Sequence, residues 1–238
     1  MKIALLGYGK MGHTIEKIAL KRNHEVVLKI NDENLEDLTI ENIRKADVVI
    51  EFTNPDSAVE NILFCLQNHV PVVCGTTGWL DKLNIIEDKC KELNGAFLYA
   101  SNYSIGVNIF FEINKKLAAL MNPHAAYNVA IEEIHHTHKK DAPSGTAITL
   151  AEQVIGASGK KNKWVNEYTQ NHDQLSIISK RIDEVPGTHS VKYSSSIDDI
   201  EIIHTAHNRD GFAEGAVLAA EFIIGKKGIF SMKDVLGF

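Results

Sequence analysis

The chain has 238 residues, with 25 basic against 31 acidic side chains and a net charge of −6. With 44% hydrophobic and 24% charged residues, it is typical of a globular protein of one large or two modest domains. The acidic balance gives no attraction for nucleic acid or an anionic membrane surface, so we expect neither as a partner.

The cysteines and the first residues indicate a reducing compartment. Cys65, Cys74 and Cys90 are odd in number and lie in or beside apolar stretches, which favours buried thiols without a disulfide. The first apolar run, residues 3–6, is too short for a signal-peptide core or a membrane span. We therefore expect a cytoplasmic protein.

Short apolar runs alternate with amphipathic stretches through the first hundred residues, which is typical of βαβ units around a parallel sheet. The predicted strands are residues 2–6, 25–30, 47–52, 71–74 and 96–99. The predicted helices, in which apolar residues recur every three or four positions, are residues 11–22, 56–68 and 81–93. We expect an α/β fold, a Rossmann-type doubly wound sheet with its strand-exit loops along one edge.

The pattern changes after residue 104. A helix is predicted to about residue 121, and residues 156–173 are predicted as a polar surface loop. The predicted strands are residues 128–134, 175–182, 188–194 and 198–204. They indicate an α+β domain with an open mixed or antiparallel sheet.

The last segment, residues 212–238, begins as an apolar helix with no strands of its own to cover, so we expect it to return to the first domain. The predicted domains are 1–103 with 209–238 for a dinucleotide, and 104–208 for substrate binding and oligomerisation.

A glycine-rich hexapeptide follows the first predicted strand, and its residues are Gly7, Tyr8, Gly9, Lys10, Met11 and Gly12. Gly7 suits a tight turn, Gly9 lets a pyrophosphate approach, and Gly12 permits close helix packing. The alternative is a turn that merely needs glycine. The position between a strand and a helix favours the dinucleotide.

The second predicted strand is followed by Asn31 and Asp32, about 20 residues past the glycines, where a carboxylate is expected to hold the adenosine ribose. Asp32 could bind the 2′-hydroxyl of NADH. Asn31 repels a 2′-phosphate less than Glu would, and Lys10 or Lys29 could attract one. The sequence therefore favours neither NADH nor NADPH.

Two further strand-exit loops contain Gly or Thr, at residues 52–55 and 75–78. Small residues at strand exits leave room for a nicotinamide ring, and open sheets bind ligands at this edge. Plain turns are the alternative.

Residues 132–147 carry the densest chemistry in the chain, with His135, His136, His138 and Lys139 close together. A buried imidazole needs a partner, and histidine is the natural proton donor near neutral pH. His135 and Lys139 fall on one side in either an extended or a helical conformation, so we predict them as an acid/base pair.

Ser144 suits the N-cap of a following helix. The amides near Gly145 and Thr146, opposite the cations at 135, 136 and 139, then describe a pocket for a small dianion. One alternative is a metal bound by His135 and His138 with a third histidine nearby, but no cysteine or suitably spaced carboxylate completes the ligand set. A solvated basic loop is the other. We predict no metal.

The chain resembles a known protein family from end to end. The run from His135 to Lys139, leading into Asp141 to Ala147, is similar to the signature of the 4-hydroxy-tetrahydrodipicolinate reductase (dihydrodipicolinate reductase) family. The motifs that fall in the family's order for cofactor contacts are Gly7 to Gly12, then Gly75, Thr76 and Thr77, then Ala100, Ser101, Asn102 and Tyr103.

The resemblance implies a two-domain enzyme of diaminopimelate and lysine biosynthesis, usually a homotetramer. NADPH or NADH would reduce C4 of a dicarboxylate heterocycle, with loss of the 4-hydroxyl as water. By resemblance, His135 is a proton donor and acceptor and Lys139 a proton donor. The other implied contacts are His136, Gly145 and Thr146 to substrate carboxylates and Arg209 near the cofactor.

The chain departs from the family pattern at Thr137, where many members carry Arg, and at Asn31, where many carry an acidic residue. Another Rossmann reductase of small amino or keto dicarboxylates, such as an aspartate dehydrogenase, would explain Gly7 to Gly12 but not residues 135–146. A catalytically idle dinucleotide-binding sensor is the third reading.

Overall fold

The computed structural model describes residues 1–208 and 210–238. The chain forms two compact units, one of Met1–Ile105 with Asp210–Phe238 and one of Gly106–Arg209. Within the described residues, no helix combines the length and the apolar character needed to cross a lipid bilayer.

Strands and helices alternate through the first unit. The elements of both units are numbered here in chain order. The strands are β1 (Lys2–Leu6), β2 (Glu25–Ile30), β3 (Val48–Glu51), β4 (Val72–Cys74), β5 (Ala96–Tyr99), β6 (Asn128–His135), β7 (Lys163–Val165), β8 (Gln174–Arg181), β9 (Gly187–Ser194), β10 (Asp199–Ala206) and β11 (Gly228–Phe230). The helices are α1 (Lys10–Lys21), α2 (Ile40–Ile43), α3 (Pro55–Gln67), α4 (Leu83–Glu92), α5 (Ile105–Met121), α6 (Gly145–Ala157), α7 (Asp210–Ile223) and α8 (Met232–Leu236).

The first unit is built on a parallel sheet of order β11-β5-β4-β3-β1-β2. Its strands are apolar runs because both faces are covered: Ile3 and Leu5 of β1 join one buried cluster, and Ala4 and Leu6 the other. Helices α1 and α7 contribute to the first cluster, α3 and α4 to the second. The predicted doubly wound Rossmann-type fold is confirmed.

The C-terminal segment differs from the prediction in one respect. We expected a helix without strands of its own, but after α7 the chain adds β11, which pairs with β5 from Gly228 opposite Ala96. A strand of three residues is too short to show a period of two, so the pattern did not reveal it. Helix α7 packs closely on the sheet because Ala216 and Ala220 are small and fully buried.

The second unit has a mixed sheet of order β10-β9-β6-β8-β7, which confirms the predicted class. Strand β6 pairs antiparallel with β9 and parallel with β8. Helices α5 and α6 lie against one face and share its buried cluster. Strand β7 lies inside the segment predicted as a surface loop, so that prediction was wrong there; its three residues pair only with β8 at the sheet edge.

Side chains of β6 alternate between the two faces of this sheet. The buried positions are Val129, Ile131, Glu133 and His135. The strand therefore places a carboxylate and an imidazole on the same buried face as the core residues Val129 and Ile131, which precede them.

Candidate active site

The loop between β1 and α1 is shaped for an anionic ligand. Gly7 has φ +93°, and a Cβ there would lie 1.9 Å from the carbonyl oxygen of Phe52, so only glycine fits. Gly9 stands at the N-cap of α1 and supplies no side-chain cap, and a Cβ there would meet no protein atom within 4 Å. The start of α1 thus faces open space and suits a dinucleotide pyrophosphate.

The other predicted cofactor residues follow strands of the same parallel sheet. Asn31 and Asp32 follow β2, residues 75–77 follow β4, and residues 100–103 follow β5. Parallel strands leave the sheet at the same edge, so these loops and the glycine loop line one edge of the first unit. Arg209 lies outside the described residues.

Two of these side chains are already engaged within the protein. Tyr103 is 2% exposed, and its hydroxyl donates to the carbonyl oxygen of Cys74 at 2.7 Å. Thr76 is 6% exposed, and its Oγ1 accepts from the backbone N–H of Thr53 at 2.8 Å. Their hydroxyls hold strand-exit loops together, whereas Thr77 and Ser101 are exposed.

Glu51, which sequence reasoning missed, organises the same edge. It ends β3 and is fully buried, and its carboxylate accepts from the backbone N–H of Thr53 at 3.0 Å and from its hydroxyl. The thiol of Cys74 donates to the other carboxylate oxygen at 3.0 Å. Burial and the nearby carboxylate raise the pKa of that thiol, so it stays protonated. A lone carboxylate ending an apolar strand was the available signal.

A small ionic network lies between α1 and β2. Lys29 Nζ is 2.5 Å from Glu16 Oε1 and 5.0 Å from the centre of the Tyr8 ring, and the Tyr8 hydroxyl donates to Glu16. The hydrogen bond to Glu16 raises the pKa of Lys29, so the amine stays charged but paired. Lys10, the other cation considered for a 2′-phosphate, is exposed.

The second unit brings the predicted catalytic and substrate residues into one segment between β6 and α6. His135 is the last residue of β6, and Ser144 caps α6, its Oγ accepting from the N–H of Ala147 at 3.3 Å. The intervening chain contains a cis bond between Ala142 and Pro143. His136, Lys139 and Thr146 are partly buried, and Gly145 is exposed.

The Lys139 amine and Gly145 face different constraints. Lys139 Nζ lies 2.8 Å from Asp141 Oδ1, so the amine is paired with a carboxylate of the same loop. Burial raises the pKa of Asp141, but the hydrogen bond from Lys139 outweighs this and lowers it. A Cβ on Gly145 would meet no atom within 4 Å, so the protein itself does not require glycine there.

A fully buried carboxylate, Glu133, stands at the centre of this segment. Both of its oxygens accept from the backbone N–H of Ser144 at 3.1 Å. The Arg181 guanidinium on β8 donates to Oε1 at 3.1 Å. His135 Nδ1 and His189 Nε2 approach Oε2 at 3.2 Å and 3.7 Å. Sequence reasoning gave Glu133, Arg181 and His189 no role.

The charges of this cluster follow from its burial. Burial opposes ionisation of Glu133, but its contacts with His135, Ser144 and Arg181 outweigh that effect and hold the pKa of the carboxyl well below its usual range. Burial lowers the pKa of His189 to about 4, and the neighbouring His135 acts in the same direction. At neutral pH the cluster holds an ionised Glu133 and a neutral His189.

The histidine cluster differs from the metal alternative considered from the sequence. His138 is 79% exposed in its side chain and approaches Glu184 at 3.8 Å, away from a ligand set with His135. Among the described residues, Glu133, His135 and His189 do bring ligand atoms within 4.8 Å of one another. The Arg181 guanidinium and the Ser144 N–H already occupy the carboxylate, however, so its surroundings suit hydrogen bonding better than a cation.

Comparisons with known proteins agree with this architecture. The family model for the N-terminus of dihydrodipicolinate reductase matches residues 1–103, and that for its C-terminus matches residues 106–236. The 4-hydroxy-tetrahydrodipicolinate reductase of Christiangramia forsetii is 51% identical over 240 residues, which cover 99% of this chain and 98% of the relative.

More distant relatives give the same result. The 4-hydroxy-tetrahydrodipicolinate reductase of Neisseria meningitidis serogroup B is 34% identical over 202 residues, covering 82% of this chain and 74% of the relative. A solved dipicolinate-bound dihydrodipicolinate reductase from Paenisporosarcina sp. TG-14 superposes with a TM-score of 0.78 at 24% identity, covering 97% of each chain, and so shares the fold. The resemblance seen in the sequence is confirmed, and the chain belongs to the dihydrodipicolinate reductase family.

Proposed function

We propose that this chain reduces 4-hydroxy-2,3,4,5-tetrahydrodipicolinate to 2,3,4,5-tetrahydrodipicolinate, a step of diaminopimelate and lysine biosynthesis, at the expense of NADH or NADPH. The observation that carries this is the 51% identity to a reductase of that name along essentially the whole of both chains. The predicted catalytic segment lies inside the matched C-terminal family region.

The second unit holds the substrate. A dianionic heterocycle suits the start of α6, because backbone amides and the helix dipole favour negative charge there. Gly145 leaves the approach open, and His136 and Thr146 lie on either side of the capping Ser144 in the chain. These residues bind the two carboxylates.

His135 and Lys139 supply protons. Loss of the 4-hydroxyl as water, together with a proton from the neighbouring carbon, would leave a conjugated imine. Hydride addition at C4 of that imine would leave negative charge on the ring system, and a positioned acid would neutralise it by protonation. General acid assistance of this kind contributes roughly 10² to 10⁴ in rate. Nδ1 of His135 is inaccessible to solvent, so the ring exchanges its proton with a ligand through Nε2.

The first unit holds the dinucleotide, which supplies the reducing equivalent when bound. The open start of α1 at Gly9 fits the pyrophosphate, and the exposed Asp32 suits the adenosine ribose. Lys29 is neutralised by Glu16 at 2.5 Å, so it attracts a 2′-phosphate weakly. Both cofactors are used, and NADH is favoured.

The assembly follows the family resemblance. We expect a homotetramer in the cytoplasm, joined through the sheets of the second unit. Ile203, on the edge strand β10, is 60% exposed and supports association of this sheet with another copy. Light scattering of the purified chain measures the subunit number.

Turnover of the heterocycle tests the proposal. The chain is mixed with freshly made product of dihydrodipicolinate synthase, and oxidation of NADH and NADPH is followed in parallel. Loss of reduced cofactor only when the synthase product is present supports the proposal. Oxidation with oxaloacetate and ammonia instead indicates an aspartate dehydrogenase, and cofactor binding without turnover indicates a sensor.

A further inference from the structure

The buried carboxylate of Glu133 connects two parts of the catalytic segment. It is fully buried and sits two residues before His135 on the same face of β6. Through Oε2 it lies 3.2 Å from His135 Nδ1, and through both oxygens it accepts from the N–H of Ser144. One side chain therefore contacts both the proposed proton donor and the first turn of the helix proposed to bind the substrate.

We propose that Glu133 is the positioning residue of the reaction: it holds the proton of His135 on Nδ1, so that Nε2 is the atom that gives up a proton to the substrate. This rests on the proposed function. In the step, the Nε2–H bond of the imidazolium breaks and the proton passes to the reduced heterocycle. The neutral ring that remains keeps its Nδ1–H towards Glu133, and solvent restores the proton on Nε2.

Within the described part of the chain, the Glu133 carboxylate is the acidic group that approaches Nδ1 of His135. That atom is buried and has no hydrogen bond as the ring stands, so a small rotation would direct its N–H at the carboxylate 3.2 Å away. The opposite edge of the ring lies against Gly187, where a Cβ would come within 3.1 Å of Nε2. A glycine at this position leaves the space beside Nε2 clear.

The surroundings keep Glu133 charged and fixed. The Arg181 guanidinium donates to Oε1 at 3.1 Å, and its NH2 group also bonds the carbonyl oxygen of Asp141. Removing either partner of such a buried pair leaves an uncompensated charge. The charged and titratable groups around Glu133 are His135 on its own strand, His189 on β9, Arg181 on β8, His204 on β10, and Lys139 and Asp141 on the loop.

The variant Glu133→Gln separates two roles of this side chain: a purely structural role as a hydrogen-bond acceptor, and the proposed positioning of the His135 proton. Gln keeps an oxygen for the N–H of Ser144 but removes the charge, and its amide would donate to Nδ1, which moves the neutral ring's proton to Nε2. We expect kcat to fall about 10- to 100-fold with a smaller change in KM. The alkaline limb of the pH profile of kcat should move to lower pH in this variant, because the imidazolium loses its anionic partner.

Two further variants calibrate this result. Glu133→Asp keeps the charge, so it should recover part of kcat and restore the wild-type alkaline limb. Glu132→Gln is the matched control, because Glu132 is the preceding residue on β6, lies on the other face and pairs with Lys180 at 2.7 Å. The control should leave kcat and the pH profile unchanged. A Glu133→Gln enzyme with wild-type kcat and pH profile would overturn the proposal.

A measurement on the wild-type chain decides the matter if Glu133→Gln does not fold. Nitrogen NMR of the imidazoles at alkaline pH, with His135→Gln used to assign the signal, reports which nitrogen carries the proton. We expect the proton on Nδ1, and a neutral ring protonated on Nε2 would overturn the proposal. This readout needs no turnover, so it stands apart from a failure of the wild-type chain to reduce the heterocycle.

Discussion

The Nε2 atom of His189 lies 3.1 Å from the Oγ of Ser144, the residue that caps α6. A neutral His189 bonds this hydroxyl through Nε2 as acceptor or as donor, according to its tautomer, whereas a protonated ring can only donate. The contact joins β9 to the start of the helix that we propose binds the substrate. Its strength therefore depends on the charge of a buried imidazole.

We predict that acid weakens the folded state through His189. Burial lowers the pKa of His189 from 6.5, its value in the unfolded chain, to about 4 in the folded protein. Between these two pH values the unfolded chain therefore binds a proton that the folded chain does not. The free energy of unfolding should thus fall as pH drops from 6.5 to about 4, by up to about 3 kcal/mol from this residue. Urea unfolding across that range measures the slope.

His189→Gln is the control for this effect, since it retains polar groups but does not titrate. It should be less stable at pH 7 and should show a shallower loss between pH 6.5 and 4. An unchanged slope in His189→Gln would mean that other groups cause the acid sensitivity.

Removing either predicted proton donor should affect the chemical step. His135→Ala and Lys139→Ala should lower kcat by roughly 10² to 10⁴ while changing KM little, as expected for groups that act in the transition state. Steady-state kinetics with the synthase product measure both parameters. Loss of cofactor affinity alone, equal in the two variants, would contradict the assignment.

The glycine loop offers a paired test of cofactor binding. Gly9→Ala should fold normally, because its Cβ meets no protein atom within 4 Å, but should weaken NADH binding by crowding the pyrophosphate. Gly156→Ala, where a Cβ is also unobstructed, is the control in the second unit and should leave NADH binding unchanged. Calorimetry gives both affinities, and wild-type affinity in Gly9→Ala would place the pyrophosphate elsewhere.

The Lys29–Glu16 pair should set cofactor preference. Glu16→Gln releases the Lys29 amine, so the ratio of kcat/KM for NADPH over NADH should rise several-fold. Glu41→Gln, which removes an exposed partner of Lys45 at 3.9 Å, is the control and should not change the ratio. An unchanged ratio in Glu16→Gln would show that Lys29 does not reach the 2′-phosphate.

The fold and much of the candidate site could be predicted because they are indicated by patterns within short segments of the sequence. The glycine loop stands between a strand and a helix, and the apolar run of β1 is buried on both faces. Strands β7 and β11 could not be predicted, since each has only three residues and neither is an unbroken apolar run as β4 is. They pair only because neighbouring strands offer a free edge.

The missed residues depended on pairing between distant segments. Alternation along β6 puts Glu133 on the inward face, which the sequence could have indicated. That His189 faces it follows from the register of β6 with β9, and that Arg181 lies opposite His135 follows from β8. Register between non-adjacent segments is set by packing and is not written in one strand's pattern.

Some residues of the predicted cofactor motifs have side chains that are used within the fold, which the sequence alone does not show. Tyr103 and Thr76 were predicted as cofactor contacts, but their hydroxyls bond Cys74 and Thr53 within the fold. Because these hydroxyls are engaged, the predicted contact of Tyr103 and Thr76 with the cofactor would be made by their backbone atoms, and it stays a prediction.

Isotope transfer tests the central claim most directly. The chain is given the synthase product and NADH deuterated on the reactive face of its nicotinamide, and the reduced heterocycle is examined by mass spectrometry and NMR. We predict one deuterium at C4 of a product that has lost its 4-hydroxyl, formed far more slowly by His135→Ala. Product without deuterium, deuterium at another carbon, or equal rates for the two proteins would contradict the account.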